Sequence, residues 1–378
     1  MSYDEAIDAI SAEIELTGRT SPAYPGKLNT LTDLLVRRYD LGGARADLDA
    51  AIDAISAATA LTATTSSTYP ARLNNCSILL SYRYRLMGAG ADLVAAIAAI
   101  TSAVGMTAMT SPAYPERLNT LSTLLSDRYR LTGVRDDLVT AIDVITRAVE
   151  LTGITSPDYP GRLNSLSSRL LERYKLDGVR DDLNSALTAI TTSVELTAMT
   201  SPDYPGRLNT LSILLSDRYR LTRVRDDLVA AIDAIGTAIA LAAKTSPDYP
   251  AMLNTLSNRL SDRFVLDGDR ADLVSAIEAV SAAVELTVKT SPDYPLMLTC
   301  LSNRLSDRFV LDGDRADLVA AIEAVSAAIE SADKTTVNYP LMLNALSSLF
   351  MGRYNLDGVQ ADVDAAVAAK NAVTEWFD

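Results

Sequence analysis

The sequence predicts an all-α protein built as an α-solenoid, in which similar helix–turn–helix units stack one on the next. Two observations predict this fold class. The dipeptide Tyr-Pro recurs eight times at an interval of 45 residues, from Tyr24 to Tyr339, and a fixed period of this size is the signature of a repeat architecture. Within each period the apolar residues form two helical stripes separated by turn residues, so each unit contains two helices.

The unit that begins with Tyr204 and Pro205 shows how both helices are predicted. Leucines at 208, 211, 214 and 215 lie on one helical face, and Pro205 opens this helix A because its missing amide has no helical partner at that position. The segment "DLVAAIDAIGTAIAL" predicts helix B. The loop between them carries glycine in seven of the eight units and Arg223 in the other. A Thr-Ser-Pro turn leads to the next unit, since the residue before proline disfavours helix.

A lone helix B is predicted at each end of the chain, which gives eight A helices and nine B helices. We therefore expect one domain over 1–378, with capping helices at 1–19 and 361–378 around eight units at 20–360. Glu13 and Lys370 stand where internal units carry small or aliphatic residues, as terminal capping units require. Trp376 and Phe377 are expected to leave apolar surface at the C-terminal end.

Residues that occupy the same position in successive units form a column, named here by its first member. The Leu28, Leu41 and Ala51 columns never vary, and we expect all three in the core. The Arg38 and Asp47 columns are equally invariant. Arginine at the end of helix A and aspartate at the start of helix B favour a structural link between the helices over a charged ladder for a ligand.

The pattern "LNTLSILL" followed by "AAIDAIGTAI" resembles the tetratricopeptide repeat (TPR). Large, leucine and small residues stand at Leu208, Leu211 and Ser212, and the helix B positions of that family match Ala231, Ile232, Ile235 and Ala238. The familiar TPR unit has about 34 residues, so the 45-residue unit is similar to the longer variants. The resemblance covers essentially the whole chain. It implies a right-handed superhelix whose A helices line a concave groove, and it leaves function open because such repeats serve many roles.

Composition argues against an enzyme. Histidine is absent, which removes the commonest general base and His-based triads or metal sites. Cys76 and Cys300 stand at different positions of different units, so no disulfide framework is expected. No cofactor is expected.

A net charge of −14 argues against nucleic acid as partner, and no 18-residue apolar run predicts a membrane span. The start "MSYDEAIDAI" lacks signal-peptide features, so we expect a cytoplasmic protein as written, or an extracellular one if a signal was removed.

Two columns of helix A are the candidate binding residues on the concave face. The Asn29 column forms an amide ladder that either binds a peptide backbone or bonds neighbouring carbonyls: Asn29, Asn74, Asn119, Asn164, Asn209, Asn254 and Asn344. The Leu34 column is leucine in five units and arginine in three. Because a core does not accept that exchange cheaply, we expect this column at the groove or edge, where Arg169, Arg259 and Arg304 would bind a ligand together with Asn258 and Asn303.

The Thr-Ser-Pro turns are candidate O-glycan acceptors in a secreted chain, although turn and cap roles explain the same residues. The candidates are Thr110, Ser111, Thr155, Ser156, Thr200, Ser201, Thr245, Ser246, Thr290 and Ser291. The sequon at Asn75 lies inside helix A and is not expected to be used.

The favoured function is a non-enzymatic scaffold for a protein or peptide ligand. The alternative is a self-assembling subunit of an extracellular, glycosylated fibre, a homopolymer of this chain.

Overall fold

The computed structural model describes residues 2–336 and 338–377, without the side chain of Phe377. These residues form seventeen α-helices and no strand. The helices are α1 (Tyr3–Leu16), α2 (Tyr24–Gly42), α3 (Arg45–Ala60), α4 (Tyr69–Met87), α5 (Gly90–Gly105), α6 (Ala113–Thr132), α7 (Arg135–Glu150), α8 (Tyr159–Asp177), α9 (Arg180–Glu195), α10 (Tyr204–Thr222), α11 (Arg225–Leu241), α12 (Tyr249–Asp267), α13 (Arg270–Leu286), α14 (Tyr294–Asp312), α15 (Arg315–Ser331), α16 (Tyr339–Asp357) and α17 (Gln360–Phe377). The predicted eight A helices, with even numbers, and nine B helices, with odd numbers, are confirmed.

Consecutive helices pack against each other along the chain. Most A helices make their main contacts with the B helix that follows them, as α2 does with α3, and fewer with the B helix before them. The chain divides into two compact units, Met1–Ser193 and Val194–Asp378, called the first and second unit below. The helix-hairpin solenoid is confirmed within each. The single domain and the right-handed sense of a superhelix stay predictions.

The invariant alanine of helix B marks where helices A and B approach most closely. Members of the Ala51 column are 0–3% exposed. The facing position of helix A holds a small hydroxyl residue, and Ser122 Oγ donates to the carbonyl of Ala141 at 2.8 Å, as Ser302 does to Ala321 at 2.7 Å. A side chain larger than alanine would separate the two backbones, because close-packed interiors tolerate little added volume.

The structure confirms one predicted leucine column of the core and corrects another. The Leu28 column is buried or half-buried throughout. The Leu41 column is exposed, from 37% at Leu221 to 76% at Leu41, so its predicted core position is wrong. These leucines lie in the last turn of helix A, at the edge of the hairpin. A methyl group on Gly90 would lie 3.6 Å from Leu131 Cδ2, which shows that Leu131 covers the start of the preceding B helix.

An ion pair joins helix A to helix B in all eight hairpins, as predicted for the Arg38 and Asp47 columns. In the hairpin of α10 and α11, Arg218 donates from Nε and Nη2 to the two carboxylate oxygens of Asp227 at 2.8 and 2.6 Å. The other seven pairs repeat this bidentate geometry. The Arg83 guanidinium holds the pKa of Asp92 below its ordinary value through such a bond. Charge-assisted bidentate pairs fix geometry as well as adding stability.

The loop between the two helices begins with a residue in the left-handed conformation. Seven glycines hold it with φ between 65° and 72°, and Arg223 holds it with φ 60°. Its N–H donates to the carbonyl of Tyr219, which ends the helix. Left-handed backbone is costly for residues with a Cβ. The Arg223 guanidinium lies 5.8 Å from the centre of the Tyr219 ring, a contact that offsets part of this cost.

We expect Arg218→Met to lower the free energy of unfolding by about 2 kcal/mol, because it leaves the buried Asp227 carboxylate without its partner. The double variant Arg218→Met, Asp227→Leu should lose less than the sum of the single losses. Denaturant titration of the four proteins measures the coupling. Arg225→Met, which breaks an exposed pair with Asp267, is the control and should change stability by less than about 0.5 kcal/mol. Additive losses would show that the pair is not coupled.

We expect Arg223→Gly to raise the free energy of unfolding by about 1 kcal/mol, because glycine takes the left-handed conformation without steric cost. Thermal unfolding of the variant and the wild type measures the gain. The reciprocal control, Gly268→Ala in the next unit, should destabilise by a similar amount. A neutral or destabilising Arg223→Gly would mean that the Tyr219 contact outweighs the backbone strain.

Candidate functional site

Neighbouring A helices contact each other within each unit. In the first unit α4 contacts α6, and α6 contacts α8; in the second, α10 contacts α12, and α12 contacts α14. No pair of consecutive B helices in the described residues reaches the same extent of contact. The side chains that project from these A helices away from the B helices are called the A-helix face below.

The asparagine ladder is half-buried on the A helices, with its oxygens inward. The Oδ1 atoms of five internal members are buried and have no hydrogen-bond partner: Asn74, Asn119, Asn164, Asn209 and Asn254. Their Nδ2 atoms are not among the buried unpartnered atoms, so each amide keeps a donor open to solvent. The two outer members differ. Asn344 Nδ2 donates to the carbonyl of Pro340 and its Oδ1 accepts from Lys370, while Asn29 donates to Asp33. The alternative that all these amides bond neighbouring carbonyls therefore fits Asn344 alone.

Salt bridges between neighbouring A helices cross the same face, and the sequence analysis missed them. Arg85 of α4 binds Asp127 of α6 at 2.9 Å, and Arg130 of α6 binds Glu172 of α8. In the second unit Arg220 of α10 binds Asp262 of α12 at 3.2 Å. These partners stand 42 residues apart. A search for opposite charges separated by one period minus one helical turn would have found them.

The Leu34 column is buried at most positions and half-buried at Leu34 and Arg304, which is deeper than the predicted place at the groove or edge. Leu214 is 0% exposed, and Arg259, in the same column, is 5% exposed. The guanidinium group can be accepted at this depth because the column points between neighbouring A helices and the long side chain reaches the A-helix face. Burial lowers the pKa of Arg259 to about 10 and also lowers that of Arg169. Whether these arginines bind a ligand stays a prediction.

The three arginines of the Leu34 column have different surroundings. Arg169 donates to Glu172 at 3.3 Å. Arg304 donates to Asp307 at 3.1 Å and to Asn258 of the preceding A helix at 3.2 Å. Arg259 donates no hydrogen bond in the described structure, and its Nη1 lies 3.9 Å from Asp262.

Arg259 lacks a hydrogen bond because of a residue in the preceding A helix, α10. The position that holds Asn258 for Arg304 holds Ile213 for Arg259, and Ile213 offers no side-chain acceptor. Asp262 already accepts hydrogen bonds from Ser216 and Arg220. Arg259 is therefore a buried charge with an ion pair to Asp262 at 3.9 Å and no hydrogen bond in the described structure.

The Thr-Ser-Pro turns use their serines structurally. Ser156 Oγ accepts from the N–H of Asp158 at 3.3 Å, and the serines at 111, 201, 246 and 291 accept in the same way. This supports the turn role for Ser111, Ser156, Ser201, Ser246 and Ser291. The neighbouring threonines 110, 155, 200, 245 and 290 are exposed. In the second unit, clefts of about 310 and 370 Å³ lie between successive turns, beside Met342 and Met297. Glycosylation of the turns stays a prediction.

The two terminal helices carry charge where internal helices bury apolar groups. Glu13 and Lys370 are exposed, whereas the internal equivalents Ala58 and Ile55 are 0% exposed. Glu13 forms a salt bridge with Lys27 at 3.0 Å. Trp376 donates from its indole N–H to the carbonyl of Lys334, so it packs back on the preceding turn. The prediction about the side chain of Phe377 lies outside the described residues. Capping itself stays a prediction.

Cys76 and Cys300 are free and half-buried, and burial raises the pKa of both thiols. Among the described residues, no cluster of three or more metal-ligating side chains occurs. None of the helices described is long and apolar enough to cross a membrane.

Comparison with solved structures identifies the fold class. No family model and no curated protein matches the sequence. A monomeric mutant of IFIT1, solved with Gppp-AAAA, is 14% identical over 98% of this chain and 73% of that one, with a TM-score of 0.50. TTC0263, a thermophilic TPR protein of Thermus thermophilus, is 18% identical over 69% and 99%, with a TM-score of 0.42. The pilF protein of Pseudomonas aeruginosa is 10% identical over 79% and 98%, also with a TM-score of 0.42. The fold is a TPR-like α-solenoid.

We expect Arg259→Leu to raise the free energy of unfolding by about 2 kcal/mol, because leucine fills this column in five units and a buried charge without a hydrogen bond is costly. Arg304→Leu is the matched control in an identical local sequence. It should not stabilise, since it removes bonds to Asp307 and Asn258. Denaturant unfolding of both variants gives the comparison. A clear loss of stability in Arg259→Leu would contradict the absence of a partner.

Proposed function

We propose that this TPR-like solenoid is a non-enzymatic scaffold that binds an extended segment of a partner protein along its A-helix face. The observation that carries the proposal is the asparagine ladder. Its internal amides recur every 45 residues and each has an Nδ2 donor open to solvent. An extended peptide presents backbone carbonyls that need such donors.

The packing of the A helices supports the same face. Consecutive A helices touch within each unit, whereas consecutive B helices of the described chain make less contact. Helices on the inner side of a curved array lie closer than those on the outer side, and solenoids use the resulting concave surface for binding. The salt bridges from Arg85 to Asp127 and from Arg130 to Glu172 tie neighbouring A helices together. They hold the amides in fixed register, which lowers the ordering cost of binding.

The fibre alternative rests on the uniformity of the repeats, and no specific contact favours it. The exposed charges at Glu13 and Lys370 argue against end-to-end stacking of apolar faces. Growth of scattering with concentration in the unmutated protein would favour the fibre.

The test is a selection of random linear peptides on the full chain, followed by affinity measurement of the selected peptides. We expect Asn119→Ala with Asn164→Ala to weaken binding about 25-fold, since each lost hydrogen bond is worth about 1 kcal/mol. The matched control is Asn184→Ala. Asn184 is an exposed asparagine on α9, the B helix that follows the A helix of Asn164, and its loss should leave the affinity unchanged. Full affinity in the double variant, or no selected peptide, would refute the proposal.

A further inference from the structure

We propose that the cleft beside Ser331 in the second unit binds the indole ring of a tryptophan side chain from a partner protein. The residues that line this cleft belong to the turns between hairpins and to the ends of helices, and none of them is a member of the asparagine ladder. The inference therefore goes beyond the proposed function and stands independently of it.

The cleft is small and mainly apolar. It has a volume of about 310 Å³ and lies between the turn before α14 and the turn before α16, with Pro295, Leu296 and Met342 among its walls. Leu296 is 40% exposed there, and Met342 closes the inner end at 2% exposed. Ligand pockets begin at about 300 Å³, so this cleft holds one side chain. A methionine thioether makes favourable contacts with aromatic rings.

Ser331 is the one polar residue in a column that is otherwise apolar. Its hydroxyl turns back onto its own helix and donates to the carbonyl of Ala327 at 2.7 Å. The neighbouring cleft beside Met297 has Leu286 at this position. The cleft beside Ser331 therefore lacks the apolar side chain that the column supplies elsewhere. The other members, all at the ends of B helices, are Leu16, Leu61, Met106, Leu151, Leu196, Leu241, Leu286 and Trp376.

The last hairpin shows which ring this kind of turn accepts. Trp376 follows Ser331 by one period of 45 residues. It is half-buried although it lies near the end of the described chain, and its indole N–H donates to the carbonyl of Lys334 in the preceding turn. That turn repeats the wall of the cleft, with Thr335, Pro340 and Leu341 in the places of Thr290, Pro295 and Leu296. An indole therefore fits the place that Ser331 leaves open.

The polar groups of the cleft favour an uncharged ring with one donor. The carbonyl of Lys289 corresponds to that of Lys334, and it accepts no hydrogen bond among the described residues. Asp333 is the charged residue of the described lining. Its carboxylate already accepts from the N–H and the hydroxyl of Thr335 at 2.9 and 2.8 Å. A tryptophan side chain supplies both the apolar surface and the N–H that the Lys289 carbonyl lacks.

The first experiment observes Met342 through the methyl resonances of the full chain labelled with ¹³C at methionine methyl groups. The resonance lost in Met342→Leu identifies the residue. We expect a saturable shift with N-acetyl-tryptophanamide and none with N-acetyl-leucinamide or N-acetyl-lysinamide. The 1-methylindole derivative, which has no N–H, should bind about fivefold more weakly. The Met297 resonance should stay unchanged, because Leu286 occupies the equivalent place in that cleft.

Three outcomes of this titration would overturn the indole site. They are no response of Met342, a response to the leucine or lysine derivative at a similar concentration, and equal affinity of the 1-methylindole derivative. An equal response of Met297 would also contradict the role given to Ser331.

A matched pair of variants tests the place of the ring. Ser331→Trp should abolish the response of Met342 to N-acetyl-tryptophanamide, since its own indole fills the cleft. Ser331→Ala should keep the response, since it leaves the cleft open. Denaturant unfolding of both variants checks that they are folded. Unchanged binding by folded Ser331→Trp, or lost binding by folded Ser331→Ala, would contradict the proposal.

Fluorescence gives a second measurement that needs no ligand. Trp376 is the only tryptophan of the chain, so the double variant Trp376→Phe, Ser331→Trp carries a single indole at the cleft. We expect its emission at shorter wavelength than that of the same protein in denaturant, because the ring packs against the turn. Emission equal to that of the unfolded chain would show that the cleft does not accept an indole and would overturn the site.

Discussion

The bidentate ion pair between the end of helix A and the start of helix B is the interaction on which each hairpin depends. It joins two helices whose paired residues stand nine positions apart in the sequence, as Arg218 and Asp227 do. The carboxylate is largely buried, so its strength comes from low exposure and from two parallel hydrogen bonds. The pair fixes where the loop lies. The left-handed residue, the half-exposed leucine of helix A and the first turn of helix B all take their positions from it.

Once the hairpin is fixed, stacking is governed by which residues meet between neighbouring units. Small residues at Ser122 and Ala141 let the two helices of a hairpin approach. Arginines and carboxylates then bridge one A helix to the next, as Arg220 does to Asp262. These bridges change from unit to unit although the fold does not, because they lie on the A-helix face and leave the core unchanged. Variation on a constant scaffold is the property that a binding surface requires.

The same column has different surroundings in different units. Arg304 donates a hydrogen bond to Asn258 of the preceding A helix, while Arg259 meets Ile213 at the equivalent place. The difference arises from a neighbour 46 residues earlier in the sequence. A buried cation without a hydrogen bond costs stability, so we expect leucine to be more favourable than Arg259 at this position.

The sequence by itself determined the number, order and bounds of the helices, because period, apolar stripe, proline and glycine are local signals with local consequences. It also determined the Arg218–Asp227 link, since both partners belong to one hairpin. Tertiary structure alone decided the exposure of Leu221 and the burial of Arg259. Burial depends on which neighbour covers a helix face, and the periodicity of one helix does not contain that information. Arg259 and Arg304 show this most clearly: their surrounding segments are identical in sequence, yet Arg304 donates a hydrogen bond to Asn258 of the preceding A helix, while Arg259 finds Ile213 there and donates none.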